Sequence, residues 1–133
     1  MSAQEKKALS NRVAQAISEG DLDALDELMA PELAEEFKRD VTEIRRAFPD
    51  YAGTNVEQIS EGEKVANRFV FLGTHLGEFE GVNPTGKRVE FVGHSIDRVV
   101  EGKIVESWVE VDMLGVMRQL EAAEPGPGRS TPQ

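Results

Sequence analysis

The sequence predicts an α+β domain in which N-terminal helices pack against one face of an antiparallel sheet. Up to Pro49, apolar residues recur at helical spacing, whereas from about Thr54 they alternate with polar residues or form β-branched runs. Short turns separate the strand-like segments, so consecutive strands are expected to pair as hairpins. A long curved sheet beside N-terminal helices forms a cone, and such a cone can enclose an apolar pocket.

The helical half is divided by capping residues and prolines. A first amphipathic helix ends at Gly20, and Asp21 is a favourable N-cap for the second helix. Pro31 is suited to open a short third helix, and Asp40 to cap a fourth that Pro49 terminates. The expected helical segments are Leu9–Ile17, Leu22–Met29, Leu33–Phe37 and Val41–Phe48.

Glycine and proline residues mark the turns of the second half. Asn83-Pro84-Thr85-Gly86 is a strong turn signal within a loop from Gly77 to Arg88, and Glu101-Gly102 fits a two-residue hairpin loop. A helical turn from Met113 to Leu120 closes the domain. The expected strands are Val56–Ser60, Lys64–His75, Val89–Val100 and Ile104–Asp112.

A chain of 133 residues corresponds to about one domain. We expect this domain to span residues 1–122 and residues 123–133 to form a disordered tail, because Glu124–Gln133 contains prolines and glycines but no apolar residue. The charged segment Met1–Lys7 lacks the apolar region of a signal peptide, and no stretch is long enough to span a membrane. We therefore expect a cytoplasmic protein.

The charge and the amino-acid composition exclude several kinds of partner. A net charge of −10 argues against nucleic acids and anionic membranes, both of which bind to basic surfaces. The absence of cysteine rules out disulfides, thiol nucleophiles and cysteine–zinc sites. No phosphate-binding loop is present, and although His75, His94 and Asp112 could in principle form a two-histidine, one-carboxylate metal set, their spacing matches no motif. The expected partner is a small hydrophobic molecule.

Two histidines are candidates for chemistry near neutral pH. Both lie in predicted strands, where His75 shares strand parity with Phe69 and Phe71, and His94 shares it with Ile96. Each is therefore a candidate for the interior. The alternative is a core or edge histidine that bonds a neighbouring group and has no chemical role.

Asp112 is the candidate acid/base residue, because it lies among apolar neighbours at the end of the last strand. Burial of a carboxyl group raises its pKa, which suits proton transfer. The alternative is that Asp112 only caps the helical turn beginning at Met113. Strand alternation puts Asp112 with Glu106, Trp108 and Glu110 on the more polar face, so a β-bulge would be needed to turn it inward.

Five segments together resemble the SnoaL-like polyketide cyclase and ester cyclase family, within the nuclear transport factor 2-like superfamily. These segments are Glu19–Leu28, Gly73–Glu78, Gly81–Val89, Arg98–Trp108 and the final Asp112. The Pro-Thr-Gly loop and the Gly-Lys-Ile-Val-Glu-x-Trp strand are the most specific parts. The resemblance covers most of the chain.

The resemblance implies a cone-shaped fold and an intramolecular aldol condensation that uses no metal or organic cofactor. It gives Asp112 the acid/base role and matches His94 to a pocket histidine on the preceding strand. It does not assign a role to His75. Many members read Glu-His-Trp in the last strand, whereas this chain has Ser107 before Trp108, so the histidine is dispensable or the chemistry differs.

The leading hypothesis is a cofactor-independent enzyme that cyclises or isomerises a polyketide-like carbonyl compound, with Asp112 and His94 as catalytic residues. One alternative is a non-catalytic, hydrophobic-ligand-binding or dimeric scaffold protein. A second is a hydrolase or isomerase with an Asp-activated water; an epoxide-hydrolase set is poorly formed, since Asp97 and Arg98 point to opposite faces. The expected substrate-binding residues are Phe48, Phe69, Phe71, His75, Trp108 and Met113. The uncovered sheet face is expected to form a homodimer.

Overall fold

A computed structural model describes residues 1–122, and the expected tail at 123–133 lies outside these residues. The chain forms three helices, a four-stranded sheet and a final short helix. The elements are α1 (Ala3–Glu19), α2 (Leu22–Leu28), α3 (Pro31–Ala47), β1 (Ala52–Glu61), β2 (Lys64–Thr74), β3 (Arg88–Val100), β4 (Lys103–Val111) and α4 (Met113–Glu121). The predicted α+β class with segregated helices is confirmed.

Local capping accounts for the helix limits. Ser2 and Glu5 form a reciprocal capping box at the start of α1, and Gly20 ends that helix in the left-handed conformation at φ 66°. Asp21 caps α2 as predicted. The division of the third helical region at Asp40 was wrong, because nothing between Pro31 and Pro49 breaks the helix and α3 runs through Asp40 without interruption.

The sheet is an antiparallel meander in the order β1-β2-β3-β4, as the hairpin signals predict. β1 begins at Ala52, four residues before the predicted limit. Its first part contains Gly53, which lies so close to Phe71 that an added Cβ would be 2.5 Å from the Phe71 Cα. β2 ends at Thr74, so His75 begins the following loop rather than ending the strand.

Alternate residues of β2 and β3 point toward the helices. Two apolar clusters cover this inner face: one around Leu25, Val65 and Ile104 beneath α1 to α3, and one around Phe48 and Phe91 beside α4. The strand residues between the two clusters are polar or aromatic and face a hollow. Within residues 1–122, no helix is long and apolar enough to cross a membrane.

Candidate active site

A cavity of about 710 Å³ opens between α1, α3 and the inner face of the sheet. This volume lies within the range of small-molecule sites, which is ~300–1,000 Å³. Its wall has a polar end, formed by Ser10, Asn67, Ser95, Asp97 and Ser107, and a larger part that is mainly aromatic and aliphatic. The shape and the mixed lining suit a single apolar ligand that carries polar groups.

Asp97 lies at the polar end of the cavity, and its side chain is 6% exposed. One carboxylate oxygen, Oδ2, accepts hydrogen bonds from Ser10 Oγ at 2.7 Å and from Asn67 Nδ2 at 3.1 Å. The other oxygen, Oδ1, accepts from Ser107 Oγ at 2.7 Å. A carboxylate offers about four acceptor positions, so three donors leave one open.

Burial raises the pKa of the Asp97 carboxyl, because moving the charged form out of water is unfavourable. The hydrogen bonds from Ser107, Ser10 and Asn67 act in the opposite direction and lower this pKa, but burial is the larger effect. A carboxyl with a raised pKa is a better proton acceptor once ionised and a proton donor nearer neutral pH.

A chain of side-chain amides fixes the orientation of Asn67. Gln58 Nε2 donates to Asn67 Oδ1 at 2.8 Å, so the Asn67 amide nitrogen is left facing Asp97 and Ser95. Asn11 in turn donates to Gln58 Oε1 at 3.1 Å and accepts from Asn55 at 3.0 Å. The donor set around Asp97 is therefore held rigidly before any ligand binds.

Aromatic rings form much of the apolar part of the cavity wall. The Phe69 and Phe71 rings meet edge to face at 5.8 Å, and Tyr51 stacks on Phe71 at 4.9 Å. Phe69 lies over Gly93, where an added Cβ would come within 2.5 Å of the ring. Glycine at this position therefore keeps the Phe69 ring from being pushed into the cavity.

Four carboxylates lie at the exposed rim of the cavity: Asp40, Glu43, Glu78 and Glu80. Glu43 pairs with Arg46 at 3.1 Å, whereas the other three make no ion pair within residues 1–122. The entrance is thus negatively charged. Such a rim repels anions at low ionic strength and admits neutral or cationic molecules.

Asp112, the candidate acid/base residue from the sequence, lies outside the cavity. It is exposed and caps α4, where its Oδ1 accepts from the Gly115 N–H at 2.9 Å. The capping alternative is the one that the geometry matches. The catalytic prediction requires Asp112 to face the cavity. Its side chain instead turns toward the N-terminus of α4 and is not part of the cavity wall.

His94 and Trp108 are also misplaced by the sequence prediction. Both are exposed on the outer face of the sheet, where His94 pairs across the strands with Arg68 and Glu110. Trp108 packs under the Lys64 ammonium, which lies 5.5 Å from the ring centroid. The prediction that His94 points inward was wrong because both faces of β3 carry apolar residues. The alternation of side chains therefore did not show which face was the inner one.

His75 and Phe48 are buried but do not line the cavity. The two rings stack at 5.3 Å. Nδ1 of His75 accepts from the Thr85 backbone N–H at 3.1 Å and lies 3.0 Å from the Thr85 hydroxyl, while Nε2 has no partner among residues 1–122. These contacts give His75 the structural role of fixing the loop that follows β2.

Three of the predicted ligand-contact residues, Phe69, Phe71 and Met113, do line the cavity. The sequence analysis missed Asp97 as a site residue and considered it only beside Arg98. A signal was present: Asp97 shares strand parity with Val89, Phe91 and Val99, all of which are buried. A carboxylate on the buried parity of a strand is rare and indicates a functional site.

Helices on a curled antiparallel sheet, here enclosing a cavity with a buried carboxyl group, form the nuclear transport factor 2-like fold. The chain belongs to the SnoaL-like polyketide cyclase family, whose model matches residues 7–120.

Characterised relatives and solved structures agree with this assignment. The chain is 34% identical over 114 residues to aklanonic acid methyl ester cyclase DnrD of Streptomyces peucetius, covering 84% of this chain and 74% of DnrD. It is also 34% identical over 116 residues to aklanonic acid methyl ester cyclase DauD of Streptomyces sp. strain C5, covering 84% of this chain and 66% of DauD. IdmH of Streptomyces antibioticus superposes with a TM-score of 0.81 at 29% identity, covering 88% of this chain and 99% of IdmH.

Proposed function

We propose that the protein is a cofactor-independent cyclase that closes a ring in a neutral, aromatic polyketide-like compound by aldol chemistry, with Asp97 as the acid/base. The observation that supports this most is the buried Asp97 carboxyl in the cavity wall, surrounded by three hydrogen-bond donors. Asp97 takes the role that the sequence alone assigned to Asp112. The relatives DnrD and DauD are aklanonic acid methyl ester cyclases, which supports the reaction class.

The proposed reaction is an isomerisation in which atoms balance without a co-reactant. The ionised Asp97 removes a proton from a carbon next to a carbonyl group, and the electron pair passes onto the carbonyl oxygen as an enolate. The enolate carbon then attacks a second carbonyl in the same molecule, and the new alkoxide takes the proton back from Asp97. The Ser95 hydroxyl, which accepts from Asn67 at the same end of the cavity, can donate its own proton to the developing negative charge.

Ser107 occupies the position of the histidine found in many family members. Its hydroxyl donates to Asp97 Oδ1 at 2.7 Å. Serine provides a neutral donor that orients the carboxyl group, and leaves Asp97 as the group that carries the proton. Of the two possibilities that the sequence left open, a dispensable histidine therefore fits this geometry better than a change of reaction.

Solvent exchange tests the proposal at its first chemical step. Aklanonic acid methyl ester incubated with the protein in D2O is expected to gain deuterium at the carbon next to its reacting carbonyl and to give a cyclised product, both followed by mass spectrometry. The corresponding free acid is the matched control. The negatively charged rim should weaken binding of the free acid, which carries a carboxylate. Added salt should reduce the difference in affinity between the ester and the free acid. Binding of the ester without exchange or product would instead favour the non-catalytic, ligand-binding alternative.

We also propose a homodimer through the outer face of the sheet. Ile59, Ala66, Ile96 and Trp108 pair in register and form one apolar row across all four strands. Ile59 is 67% exposed and Trp108 49% exposed in the single chain. Charged side chains of both signs flank this row, including the Arg98–Glu106 pair. An apolar row with a charged border matches the anatomy of protein interfaces.

Ile96→Arg is expected to convert the dimer to a monomer, because it puts an unpaired charge at the centre of the apolar row. Sedimentation equilibrium at micromolar concentration measures the mass. Leu114→Arg on α4, where the leucine is 61% exposed, is the control and should remain dimeric. A 14.7 kDa species for the unmodified protein would contradict the proposal.

A further inference from the structure

We infer that Tyr51 is a second polar contact for the ligand: its hydroxyl binds a carbonyl oxygen at the end of the ligand remote from Asp97. This inference rests on the proposed function and deepens it. It identifies the substrate class as an extended aromatic compound with oxygen at both ends. The sequence analysis gave Tyr51 no role.

Two ring contacts hold the Tyr51 side chain, and a hydrogen bond anchors its backbone. The ring stacks on Phe71 with centroids 4.9 Å apart and planes at 20°, and meets the Phe91 ring edge to face at 5.1 Å. Arg45 anchors the backbone, since its Nη1 donates to the Tyr51 carbonyl at 2.6 Å and also reaches the end of α1 at Ser18. The hydroxyl position is therefore set before a ligand enters.

The hydrogen bonds that Tyr51 makes within residues 1–122 use its backbone, and its hydroxyl is not fully enclosed by protein atoms. The residue lines the cavity, and the two rings that it contacts, Phe71 and Phe91, offer no polar partner. Tyrosine hydroxyls in apolar surroundings normally find a partner. A bound ligand with a carbonyl oxygen at this end supplies one.

Burial raises the pKa of the Tyr51 phenol above its ordinary value of 10.0, because the phenolate would lie away from water. The hydroxyl therefore stays protonated throughout the neutral range and remains a hydrogen-bond donor. It matches a neutral carbonyl group, in agreement with the negatively charged rim that repels anions.

Tyr51 and Asp97 lie at different places along the sheet. Tyr51 contacts Phe71 and Phe91, which pair with each other across β2 and β3. Asp97 lies six positions further along β3, a path of roughly 20 Å in an extended strand and shorter in a curled one. A single carbonyl group is too small to reach both residues, so they contact different parts of one ligand.

Ligand binding by a Tyr51→Phe variant tests this inference without any need for turnover. The probes are 2-acetylnaphthalene and 2-ethylnaphthalene, which share a ring system but differ by the carbonyl oxygen. Loss of one hydrogen bond is expected to weaken binding of the ketone by roughly 3- to 10-fold and leave the hydrocarbon unchanged. The thermal midpoint should not move, because phenylalanine preserves both ring contacts.

A direct signal is available because Tyr51 is the one tyrosine of the chain. Tyrosine labelled with carbon-13 at Cζ gives a single resonance, which the ketone should shift more than the hydrocarbon does. Asp97→Asn should retain this shift, since it lies at the other end. With aklanonic acid methyl ester, Tyr51→Phe is expected to raise KM with little change in kcat.

Equal affinity of the unmodified protein and Tyr51→Phe for the ketone would overturn the inference. An equal carbon-13 shift with both probes would do the same. Neither outcome would contradict the proposed acid/base role of Asp97. Conversely, absence of turnover in the unmodified protein would overturn the proposed function and leave the probe-binding result for Tyr51 intact.

Discussion

Asp97→Asn is expected to reduce cyclisation by roughly 10²–10⁴-fold, the usual contribution of a positioned general acid or base. Asparagine retains the size and polarity of the side chain but does not accept and return the proton. Rates of product formation from aklanonic acid methyl ester measure the loss. The unmodified protein should itself lose activity as the pH falls through the raised pKa of Asp97, because the carboxyl group must be ionised to act as the base.

The fold should survive this substitution. The carbonyl oxygen of the introduced asparagine can accept from Ser10 and Asn67 in place of Oδ2, and its amide can donate to the Ser107 hydroxyl, which also accepts hydrogen bonds. Burial raises the pKa of Asp97 in the folded state, so its contribution to stability is fully present below the unfolded pKa and is lost as the pH rises through the folded pKa. At neutral pH, the free energy of unfolding of Asp97→Asn should equal or exceed that of the unmodified protein.

Asp112→Asn is the matched control. Asparagine caps a helix about as well as aspartate, and Asp112 lies outside the cavity, so both activity and stability should be retained. Loss of activity in Asp112→Asn with full activity in Asp97→Asn would contradict the assignment of the acid/base and restore the prediction made from the sequence.

Phe48→Ala is expected to lower the free energy of unfolding by about 3–5 kcal/mol, the usual cost of removing a buried phenylalanine. Phe48 is 0% exposed, and its ring contacts His75 at 5.3 Å, Phe79 at 5.2 Å and Phe91 at 5.0 Å. The alanine variant leaves a void among three rings that are held by other contacts, so collapse around it is restricted. Urea denaturation followed by circular dichroism measures the change.

Phe37→Ala provides the comparison for this measurement. Phe37 is partly buried and lines the cavity, so its removal enlarges an existing hollow instead of opening a new void. Its cost should be clearly smaller than that of Phe48→Ala. A loss below about 1 kcal/mol for Phe48→Ala would show that the aromatic cluster repacks freely, against the dense packing expected of a protein interior.

The sequence predicts the order of elements well, because helical spacing, alternation and turn residues are local signals. It predicts the site poorly for two physical reasons. First, β3 carries apolar residues on both faces, with Phe91 and Val99 inside and Ile96 outside, so alternation alone does not identify the inner face. Second, the partners that explain the burial of Asp97 are distant in sequence: Ser10 is 87 residues away and Asn67 is 30.

The sequence did contain the evidence against Asp112. Its strand parity agreed with Trp108, and the structure puts both on the exposed side. The favourable N-cap chemistry of aspartate was the alternative, and that is the contact that Asp112 makes. Phe69 and Phe71 lie on the inner face, as expected, because a strand with aromatic residues at alternate positions has one clear inner face.

The donor set around Asp97 comes from three different elements: Ser10 from α1, Asn67 from β2 and Ser107 from β4. Ser107 is 10 residues from Asp97 and lies opposite it on the adjoining strand, whereas Ser10 is 87 residues away. Contacts of large sequence separation carry a high loop-closure cost and form late in folding. A chain in which only the β3–β4 hairpin has formed therefore holds Asp97 beside Ser107 but without Ser10, and the donor set is completed only when the N-terminal helix docks on the sheet.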